Sequence, residues 1–350
     1  MSRQLSIVTV VGARPQFIKA APVSSALGAA GDFREVLVHT GQHFDDGMSA
    51  VFFSELGLAE PALNLGIHGG SHAAMTARML VGLEERMQVE NPDWVLVYGD
   101  TNSTLAGALA AAKLHIPVAH VEAGLRSFNR RMPEEINRVI ADHLSGLLLC
   151  PTTQARVNLE REGIVTGVHV VGDVMYDACL GAAARARAHT DVVERFGLQP
   201  HRFAVATVHR AENVDCRSRL AGVLDYLKEH ARRETVVLPM HPRTSEAVAR
   251  FGLVTDPLRV CPPVSYLEMA RLLENCTTVF TDSGGLQKEA YFHGKRCVTL
   301  REETEWVETI ECGWNRLWRV SDYRPRRPIS EYGDGHAAER IVDLLRQHAR

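Results

Sequence analysis

Short apolar runs alternate with longer segments of helical spacing along this chain, and this alternation limits the fold more than any other feature. The first series of predicted strands covers residues 5–11, 35–39, 94–98, 117–121, 146–149 and 168–171. The second series covers residues 203–208, 236–239, 258–260, 278–281 and 296–300. Helical patterns such as 17–27 and 104–114 lie between strands. Such alternation is typical of parallel sheets with helical crossovers, so the sequence predicts the α/β class.

The chain is long enough for two such domains. Its 350 residues exceed what a single hydrophobic core usually serves. An apolar run ends in the turn Val171-Gly172-Asp173, which predicts domains at residues 1–171 and 172–335 with a ligand cleft between them. Residues 336–350 have amphipathic helical spacing and could cap either domain.

Composition excludes several classes of protein. A net charge of -3 gives no global reason to expect nucleic acid or an acidic membrane surface. No apolar run approaches the ~20 residues that span a bilayer. The chain enters its first strand without a signal-peptide pattern, and its seven cysteines form no C-x-x-C pair. We therefore expect a cytoplasmic protein with buried, unpaired cysteines, and the sequence shows no metal-ligand spacing, dinucleotide fingerprint, Walker loop or nucleophile elbow.

Three acidic clusters follow predicted strands or begin a helix. Asp100 and Glu122 come just after apolar runs, and Glu134 lies beside Glu135 at a predicted helix start. Carboxylates at the carboxyl ends of strands face the ligand crevice of an open α/β sheet, and together they would supply a proton acceptor and a proton donor. Two structural alternatives stay open: Asp100 as a helix N-cap, and the glutamates as first-turn acids partnered by Arg138.

Two strand-to-helix turns have the composition of anion sites. In Gly12-Ala-Arg14-Pro-Gln-Phe-Ile-Lys19 the basic residues lie beside a helix N-terminus, although solvated side chains in a plain turn would fit equally. Asp282-Ser283-Gly284-Gly285 follows a strand and opens a helix that contains Glu289. Serine and two glycines allow a diphosphate close to backbone N–H groups, but an N-cap with packing glycines is the simpler alternative.

One loop of the second half also concentrates polar residues. His209, Arg210 and Glu212 follow the predicted strand 203–208 directly, which favours a site over a chance surface grouping. His241 is a weaker candidate, because a single histidine is more often structural.

The combined motifs resemble those of the non-hydrolysing UDP-N-acetylglucosamine 2-epimerases. They occur in order between residues 7 and 316, as Gly-Ala-Arg14-Pro-x-x-x-Lys19, Gly-Asp100-Thr, Glu122-Ala-Gly-Leu-Arg126, Pro-Glu134-Glu135-x-Asn-Arg138, His209-Arg-x-Glu-Asn and Asp-Ser283-Gly-Gly-x-Gln-x-Glu289. The resemblance implies a GT-B-like fold with two Rossmann-like, doubly wound domains and a deep interdomain cleft. It further implies a C-terminal helix that returns to the first domain, a homodimer, a UDP-sugar substrate and no metal or cofactor.

The resemblance also implies roles for individual residues. The catalytic candidates are Asp100, Glu122, Glu134 and His209. The candidates for holding UDP and the sugar are Arg14, Lys19, Arg138, Arg210, Glu212, His241, Ser283, Gly284, Gly285 and Glu289. The implied reaction inverts C2 of a UDP-2-acetamido sugar, as in UDP-GlcNAc to UDP-ManNAc, by elimination of UDP to a 2-acetamidoglucal and re-addition.

The choice of substrate stays open. The first motif and Thr304-Glu305-Trp306-Val307-Glu308 are more similar to the branch that acts on UDP-2,3-diacetamido-glucuronate in O-antigen synthesis. A C6 carboxylate needs a cation, for which Arg126, Arg130 and Arg131 are candidates. A GT-B glycosyltransferase, a non-catalytic nucleotide-sugar sensor and a hydrolysing epimerase are the competing hypotheses.

Three departures from the family pattern limit what is carried over. Trp306 stands where many members have arginine, and Met269 stands near where a phenylalanine beside the uracil is expected. The allosteric loop reads Gln42-His43-Phe44-Asp45-Asp46, with Ser71 where an arginine is expected. We therefore predict no allosteric activation by UDP-GlcNAc, which a sigmoidal rate curve would contradict.

Overall fold

The computed structural model describes residues 4–42 and 53–349, which form two compact units. The first unit runs to Ala178 and resumes at Ser330, and the second unit is Cys179–Ile329. Among the described residues, no helix combines the length and the apolar character that crossing a membrane requires.

The first unit contains a parallel sheet of seven strands with the order β3-β2-β1-β4-β5-β6-β7. The strands are β1 (Leu5–Val11), β2 (Phe33–His39), β3 (Leu63–Asn64), β4 (Trp94–Tyr98), β5 (Val118–Val121), β6 (Leu147–Cys150) and β7 (Val168–Val170). The helices are α1 (Arg14–Ala30), α2 (His72–Glu90), α3 (Asn102–Lys113), α4 (Pro133–Leu144), α5 (Thr153–Arg161) and the C-terminal helix Ala337–Gln347. Helix α6 (Val174–His189) leads from the first unit into the second.

The second unit contains a parallel sheet of six strands with the order β10-β9-β8-β11-β12-β13. The strands are β8 (Phe203–Thr207), β9 (Thr235–Pro239), β10 (Arg259–Cys261), β11 (Thr278–Thr281), β12 (Arg296–Thr299) and β13 (Asn315–Leu317). The helices are α7 (Val192–Arg195), α8 (Ala211–Val214), α9 (Arg217–Ala231), α10 (Pro242–Phe251), α11 (Tyr266–Asn275), α12 (Gly284–Phe292) and α13 (Val307–Glu311).

Both sheets reverse their strand order next to the first strand, and this reversal positions the site. In the first unit β1 lies between β2 and β4, and in the second unit β8 lies between β9 and β11. At such a switch point the loops after adjacent strands diverge to opposite faces and leave a crevice at the carboxyl ends. The predicted α/β class with parallel sheets is therefore confirmed, and each unit has the doubly wound, Rossmann-like order.

Buried apolar strands with small helical residues against them form the cores. Every residue of β4 is buried, as expected for a parallel strand covered on both faces. Helix α3 packs its alanines on this sheet, and a Cβ added at Gly107 would lie 3.0 Å from Val97 Cγ1. The glycine therefore lets the helix that follows β4 approach the sheet closely.

Some predictions on elements need correction. Each predicted strand is present, but β3 and β13 were missed, because short edge strands carry no continuous apolar run. The units divide within α6 at Ala178, not at Val171. The cause is that Asp173 N donates to Tyr332 O at 3.1 Å and the Asp177 carboxylate accepts from Ala338 N at 2.8 Å, which ties the start of α6 to the C-terminal segment.

The C-terminal helix (Ala337–Gln347) belongs to the first unit, where Arg346 pairs with Asp32 at 2.7 Å. The predicted burial of the cysteines holds for most of them but is wrong for Cys216, which is exposed.

Candidate active site

Two carboxylates and two cations meet at the carboxyl ends of β4 and β5. Asp100 follows β4 after one glycine, and Glu122 follows β5 directly. Lys19 of α1 pairs with Glu122, and both side chains are 13% exposed. Arg138 of α4 pairs with Asp100, whose side chain is 31% exposed. The first unit therefore brings together four of the predicted site residues as two partly buried ion pairs.

The charge of Lys19 is fixed by its surroundings. Burial alone would lower the pKa of this amine, but the contact with Glu122, reinforced by Asp100 and Asp173, raises the pKa above its ordinary value. Lys19 is thus a cation at neutral pH. The alternative that the basic residues of this turn are simply solvated is wrong for Lys19, whose side chain is mostly buried. Arg14, in the first turn of the same helix, is exposed.

The backbone at this place adopts conformations that favour glycine. Gly99 has φ +61°, and a Cβ there would lie 3.2 Å from Glu122 Oε2 and 3.4 Å from Lys19 Nζ. Glu122 itself has φ +71°, which is rare for a residue with a side chain. Non-glycine residues in this region cost about 1–3 kcal/mol and cluster at functional sites. The strain therefore supports a functional role for Glu122.

The two adjacent glutamates at the start of α4 have different environments. Glu135 is buried and accepts the N–H groups of Ser127 and Phe128 at 2.8 Å and 2.9 Å. Burial alone would raise the pKa of Glu135, but these hydrogen bonds and Arg138 lower it. Glu134 is exposed. Glu135 is therefore structural, and only Glu134 is accessible to a substrate.

Asp100 is not the N-cap of α3, which was the structural alternative for this residue. Thr101 is the N-cap of α3, and its hydroxyl accepts from Thr104 N at 3.3 Å. The carboxylate of Asp100 is thus left for Arg138 and for a ligand.

In the second unit, Asp282 organises the loop after β8. This carboxylate is fully buried and accepts the N–H groups of His209 and Arg210, each at 3.0 Å, and the amide of Asn213 at 2.9 Å. The ring of His209 lies 5.8 Å from the ring of His241. Burial, together with the proximity of His241 and Arg210, lowers the pKa of His209 despite the attraction of Asp282. His209 is therefore mainly neutral at pH 7.

The start of α12 is built as the sequence predicts. Ser283 is its N-cap and accepts from Leu286 N at 3.5 Å. A Cβ at Gly284 would lie 2.2 Å from Glu305 Oε1, whereas a Cβ at Gly285 would meet nothing closer than 4.0 Å. The first glycine thus makes room for the Glu305 side chain, and the exposed second one leaves the helix start accessible from outside the protein.

The remaining polar candidates of the second unit make internal contacts. Glu212 pairs with Arg301 at 3.1 Å, and Arg301 also pairs with Glu305 at 2.7 Å. Arg210 lies 3.9 Å from the same Glu305 carboxylate. His241 caps α10, where its Nδ1 accepts from Arg243 N at 3.2 Å. Glu289 lies on α12, half-buried.

Positions that depart from the family pattern have structural roles here. Trp306 donates its Nε1–H to Gly284 O at 2.8 Å and stacks under the Lys288 amine at 4.4 Å. Met269 packs against the core of the second unit. Ser71 caps α2, and the Gln42 side chain accepts from Ser103 N at 3.1 Å. The predicted allosteric positions 43–46 lie outside the described residues.

One sequence expectation is wrong. Arg126 does not face a substrate, because it pairs with Asp142 at 2.6 Å and with Glu162 at 2.7 Å, and its side chain is 1% exposed. Arg130 and Arg131 are exposed, so they stay candidates for a sugar carboxylate.

Sequence reasoning missed the buried partners of the site. Asp142, His120 and the organising role of Asp282 were not singled out. A histidine inside the apolar run of β5 was the available signal, because a buried polar side chain needs partners. In the described parts of the chain, no three His, Cys, Asp or Glu side chains are grouped as a metal ion requires.

Comparisons with known proteins agree with this geometry. Residues 25–346 match the family model described as UDP-N-acetylglucosamine 2-epimerase. The chain is 52% identical to a Pseudomonas aeruginosa UDP-2,3-diacetamido-2,3-dideoxy-D-glucuronate 2-epimerase, over 97% of this chain and 99% of that protein. It is 39% identical to a Methanocaldococcus jannaschii UDP-N-acetylglucosamine 2-epimerase, over 97% and 99% of the two chains.

A solved structure extends the agreement to three dimensions. The M. jannaschii UDP-GlcNAc 2-epimerase in complex with UDP-GlcNAc and UDP matches with a TM-score of 0.79 and 39% identity, over 98% of this chain and 99% of that one. The fold is accordingly GT-B-like, with two parallel α/β sheets. The chain therefore belongs to the UDP-N-acetylglucosamine 2-epimerase family of isomerases.

Proposed function

We propose that the protein inverts C2 of a UDP-2-acetamido sugar by eliminating UDP and adding it back. The observation that carries this proposal is the pair of acid–cation contacts, Asp100–Arg138 and Glu122–Lys19, at the ends of adjacent strands. A glycosyltransferase or a nucleotide-sugar sensor needs a diphosphate site but has no use for several carboxylates around one sugar ring.

The chemistry explains the need for acids and bases. The C2 proton has no adjacent carbonyl and does not leave on its own. Departure of UDP makes C1 oxocarbenium-like, so that the C2 proton can leave as the C1–O bond breaks, which yields UDP and a 2-acetamidoglucal. UDP then re-forms the bond to C1 while a proton is delivered to the opposite face of C2. Two faces require two differently placed acid–base groups, each contributing about 10²–10⁴ in rate.

The residues of the first unit suit these proton transfers. Asp100, Glu122 and Glu134 are the proposed acid–base groups. Lys19 and Arg138 neutralise two of them, which permits carboxylates to stand close together without mutual repulsion.

The residues of the second unit suit the leaving group. The N–H groups at the start of α12 and the side chains of His209 and Arg210 are the proposed diphosphate site, and Glu289 is proposed to accept from the ribose hydroxyls. Neutral His209 can take up a proton when the anion binds, which would further stabilise departing UDP.

The identity of the sugar has a favoured answer. The 52% identity to a UDP-2,3-diacetamido-2,3-dideoxy-D-glucuronate 2-epimerase exceeds the 39% identity to a UDP-N-acetylglucosamine 2-epimerase, and both cover 97% of this chain. We therefore propose the diacetamido uronate as the preferred substrate, with the exposed Arg130 or Arg131 as partner of its C6 carboxylate. UDP-GlcNAc is the second candidate.

We also propose a cytoplasmic homodimer. Exposed apolar side chains on and just before α4 support a protein contact there, because large apolar groups grouped on a surface often mark interfaces. They are Phe128, Met132, Ile136 and Ile140. Sedimentation of the purified protein tests this proposal.

Deuterium exchange tests the reaction. The protein is incubated in D₂O with each UDP-sugar separately, and proton NMR follows the C1 and C2 signals. Deuterium at C2 of the UDP-sugar pool is expected, faster with the uronate. Release of free sugar and UDP would favour the hydrolysing alternative, and no exchange with either substrate would overturn the proposal.

A further inference from the structure

A fully buried charged cluster lies beneath the two carboxylates and has no part in the reaction described above. His120 of β5 places Nδ1 2.7 Å from Asp142 Oδ1 and Nε2 2.7 Å from the carbonyl oxygen of Gly99. Asp142 also accepts from Arg126 at 2.6 Å. His120 and Asp142 are both inaccessible to solvent, so neither touches a substrate.

The partners of His120 occupy both of its ring nitrogens. Burial alone would raise the pKa of Asp142, but His120 and Arg126 lower it, so this carboxylate is ionised. A carboxylate and a backbone carbonyl can only accept hydrogen bonds. The ring of His120 is therefore held from both sides, by Asp142 of α4 and by the carbonyl of Gly99.

Asp142 and Arg126 have further neighbours. Arg126 also pairs with Glu162 at 2.7 Å, and the side chain of Glu162 is 28% exposed. The nearby Cys150 thiol of β6 is neutral, because burial raises its pKa to about 12. Asp142 is thus held by Arg126 as well as by His120.

His120 holds the peptide that precedes Asp100. The carbonyl of Gly99 accepts from His120, and its N–H donates to Val121 O at 3.0 Å. Gly99 is thus tied to β5 through both of its backbone polar groups. Because a Cβ at Gly99 would lie only 3.2 Å from Glu122 Oε2, the position of Gly99 limits the spacing between the two strand ends.

Asp142 holds the chain on both sides of Glu122. It accepts from His120, two residues before Glu122, and from Gly124 N, two residues after it, at 3.1 Å. Glu122 lies between these two fixed points in its strained conformation, with φ +71°. Strained backbone persists only where the surroundings over-determine it, and here one buried carboxylate does so.

We propose that His120, with Asp142, is a positioning residue that fixes Asp100 and Glu122 relative to each other. This inference rests on the proposed function, because it assigns geometry to the groups that transfer protons there. Loss of the His120 ring frees the Gly99 carbonyl and lets the ends of β4 and β5 separate. A displacement of about 1 Å in a catalytic group can reduce the rate about 10²-fold.

Two variants and a control test the proposal by C2 deuterium exchange and initial rates. His120→Phe keeps a ring but removes both hydrogen bonds, and Asp142→Asn keeps the shape but removes the charge. Each is expected to lower kcat by about 10–100-fold, with KM and the Kd for UDP within about twofold of wild type. His143→Phe, at an exposed position of the same helix, is the control and should leave kcat unchanged.

The pH profile separates positioning from a general loss of structure. Misplaced carboxylates have altered surroundings, so the pH–rate profiles of His120→Phe and Asp142→Asn should be shifted. A purely structural role would lower the rate equally at every pH. Folding of each variant is verified by thermal unfolding. If His120→Phe does not fold, the kcat and the pH–rate profile of Asp142→Asn test the proposal.

The outcomes distinguish this inference from the proposed function. If wild type exchanges no deuterium at C2, the function itself is wrong and the inference fails with it. If wild type is active but folded His120→Phe or Asp142→Asn keeps kcat within about twofold, the positioning role alone is overturned. A crystal structure of wild type gives a second readout: Nδ1 and Nε2 of His120 must lie within hydrogen-bond distance of Asp142 and of the Gly99 carbonyl, and a ring turned away from either partner would also overturn the inference.

Discussion

Asp100 and Asp282 occupy equivalent places in the two sheets but have different surroundings. Each follows the strand that lies beside the first strand of its sheet, at the switch point. Asp100 is partly exposed and meets a cation from a helix, Arg138. Asp282 is fully buried and meets the N–H groups of the loop after β8.

The difference shows that topology selects the position while the partners select the role. A carboxylate paired with a side-chain cation keeps an exposed edge that can exchange protons. A buried carboxylate whose oxygens accept backbone N–H groups has no free edge for a ligand. It instead fixes the conformation of the loop that donates those hydrogen bonds. This contrast supports the proposal that the first unit supplies the acid–base groups and the second supplies hydrogen-bond donors for the diphosphate.

The largest expected effect comes from removing the acids of the first unit. Glu122→Gln, Asp100→Asn and Glu134→Gln should each lower kcat by about 10²–10⁴, because an amide cannot transfer the proton. The Kd for UDP should stay unchanged, since UDP is assigned to the second unit. C2 deuterium exchange and calorimetric titration of UDP measure the two quantities.

The control for these variants lies at the other end of the same strand. Asp93 precedes β4 and accepts from Ser6 N at 2.8 Å. Asp93→Asn should therefore affect stability but not kcat. Normal epimerisation by all three acid variants would refute their assignment as acid–base groups. A loss of UDP affinity as large as the loss of kcat would contradict the proposal that UDP is held by the second unit.

Replacing the buried carboxylate should have the opposite signature. Asp282→Asn turns an acceptor into a donor that faces N–H groups, and it should cost about 2–4 kcal/mol of unfolding free energy. UDP affinity should fall because the His209 loop loosens, while kcat at saturating substrate changes less than in Glu122→Gln. Denaturant unfolding and UDP titration test this, and an unaltered stability would show that Asp282 does not organise the loop.

The two glycines at the start of α12 separate packing from ligand binding. Gly285→Ala meets no protein atom closer than 4.0 Å, so stability should not fall, but close approach of a diphosphate would be hindered and UDP affinity should drop about tenfold. Gly284→Ala meets Glu305 at 2.2 Å and should lose stability as well. Equal UDP affinity in wild type and Gly285→Ala would exclude the helix start as the diphosphate site.

The sequence was sufficient to predict all strands except the short edge strands β3 and β13, and the acids at the strand ends. Apolar runs of β-rich residues mark buried parallel strands, and chemistry collects at their carboxyl ends, so Asp100 and Glu122 could be found from position alone. Ser283 as an N-cap was also predictable, because capping depends on nearest neighbours along the chain.

Contacts between distant segments could not be predicted in this way. The different fates of Glu134 and Glu135 depend on how residues 127 and 128 fold over the start of α4. Arg126 was predicted to be available to a substrate, yet it is enclosed by Asp142 of α4 and by Glu162, which follows the end of α5. Long-range pairing of this kind decides which charged residue is buried, and sequence spacing does not encode it.

The smallest expected effect is the pH dependence that His209 of the second unit contributes. The folded state lowers the pKa of His209 below its ordinary value of 6.5, so the unfolded chain takes up a proton first as the pH falls. Stability from neutral His209 is therefore present above about pH 6.5 and is lost progressively below it. Burial also lowers the pKa of His293, to about 4, and that of His169 in the first unit, so the test must compare wild type with a His209 variant. Unfolding free energies at pH 7.5 and pH 5 should differ less in His209→Gln than in wild type. By contrast, Lys19 keeps its charge throughout this range, because its pKa is raised and its contribution is lost only as the pH rises past the ordinary lysine value of 10.5. An identical pH dependence in wild type and His209→Gln would mean that the His209 loop is as solvated as in the unfolded chain, and the contrast between a charge-paired site and a desolvated one would fail.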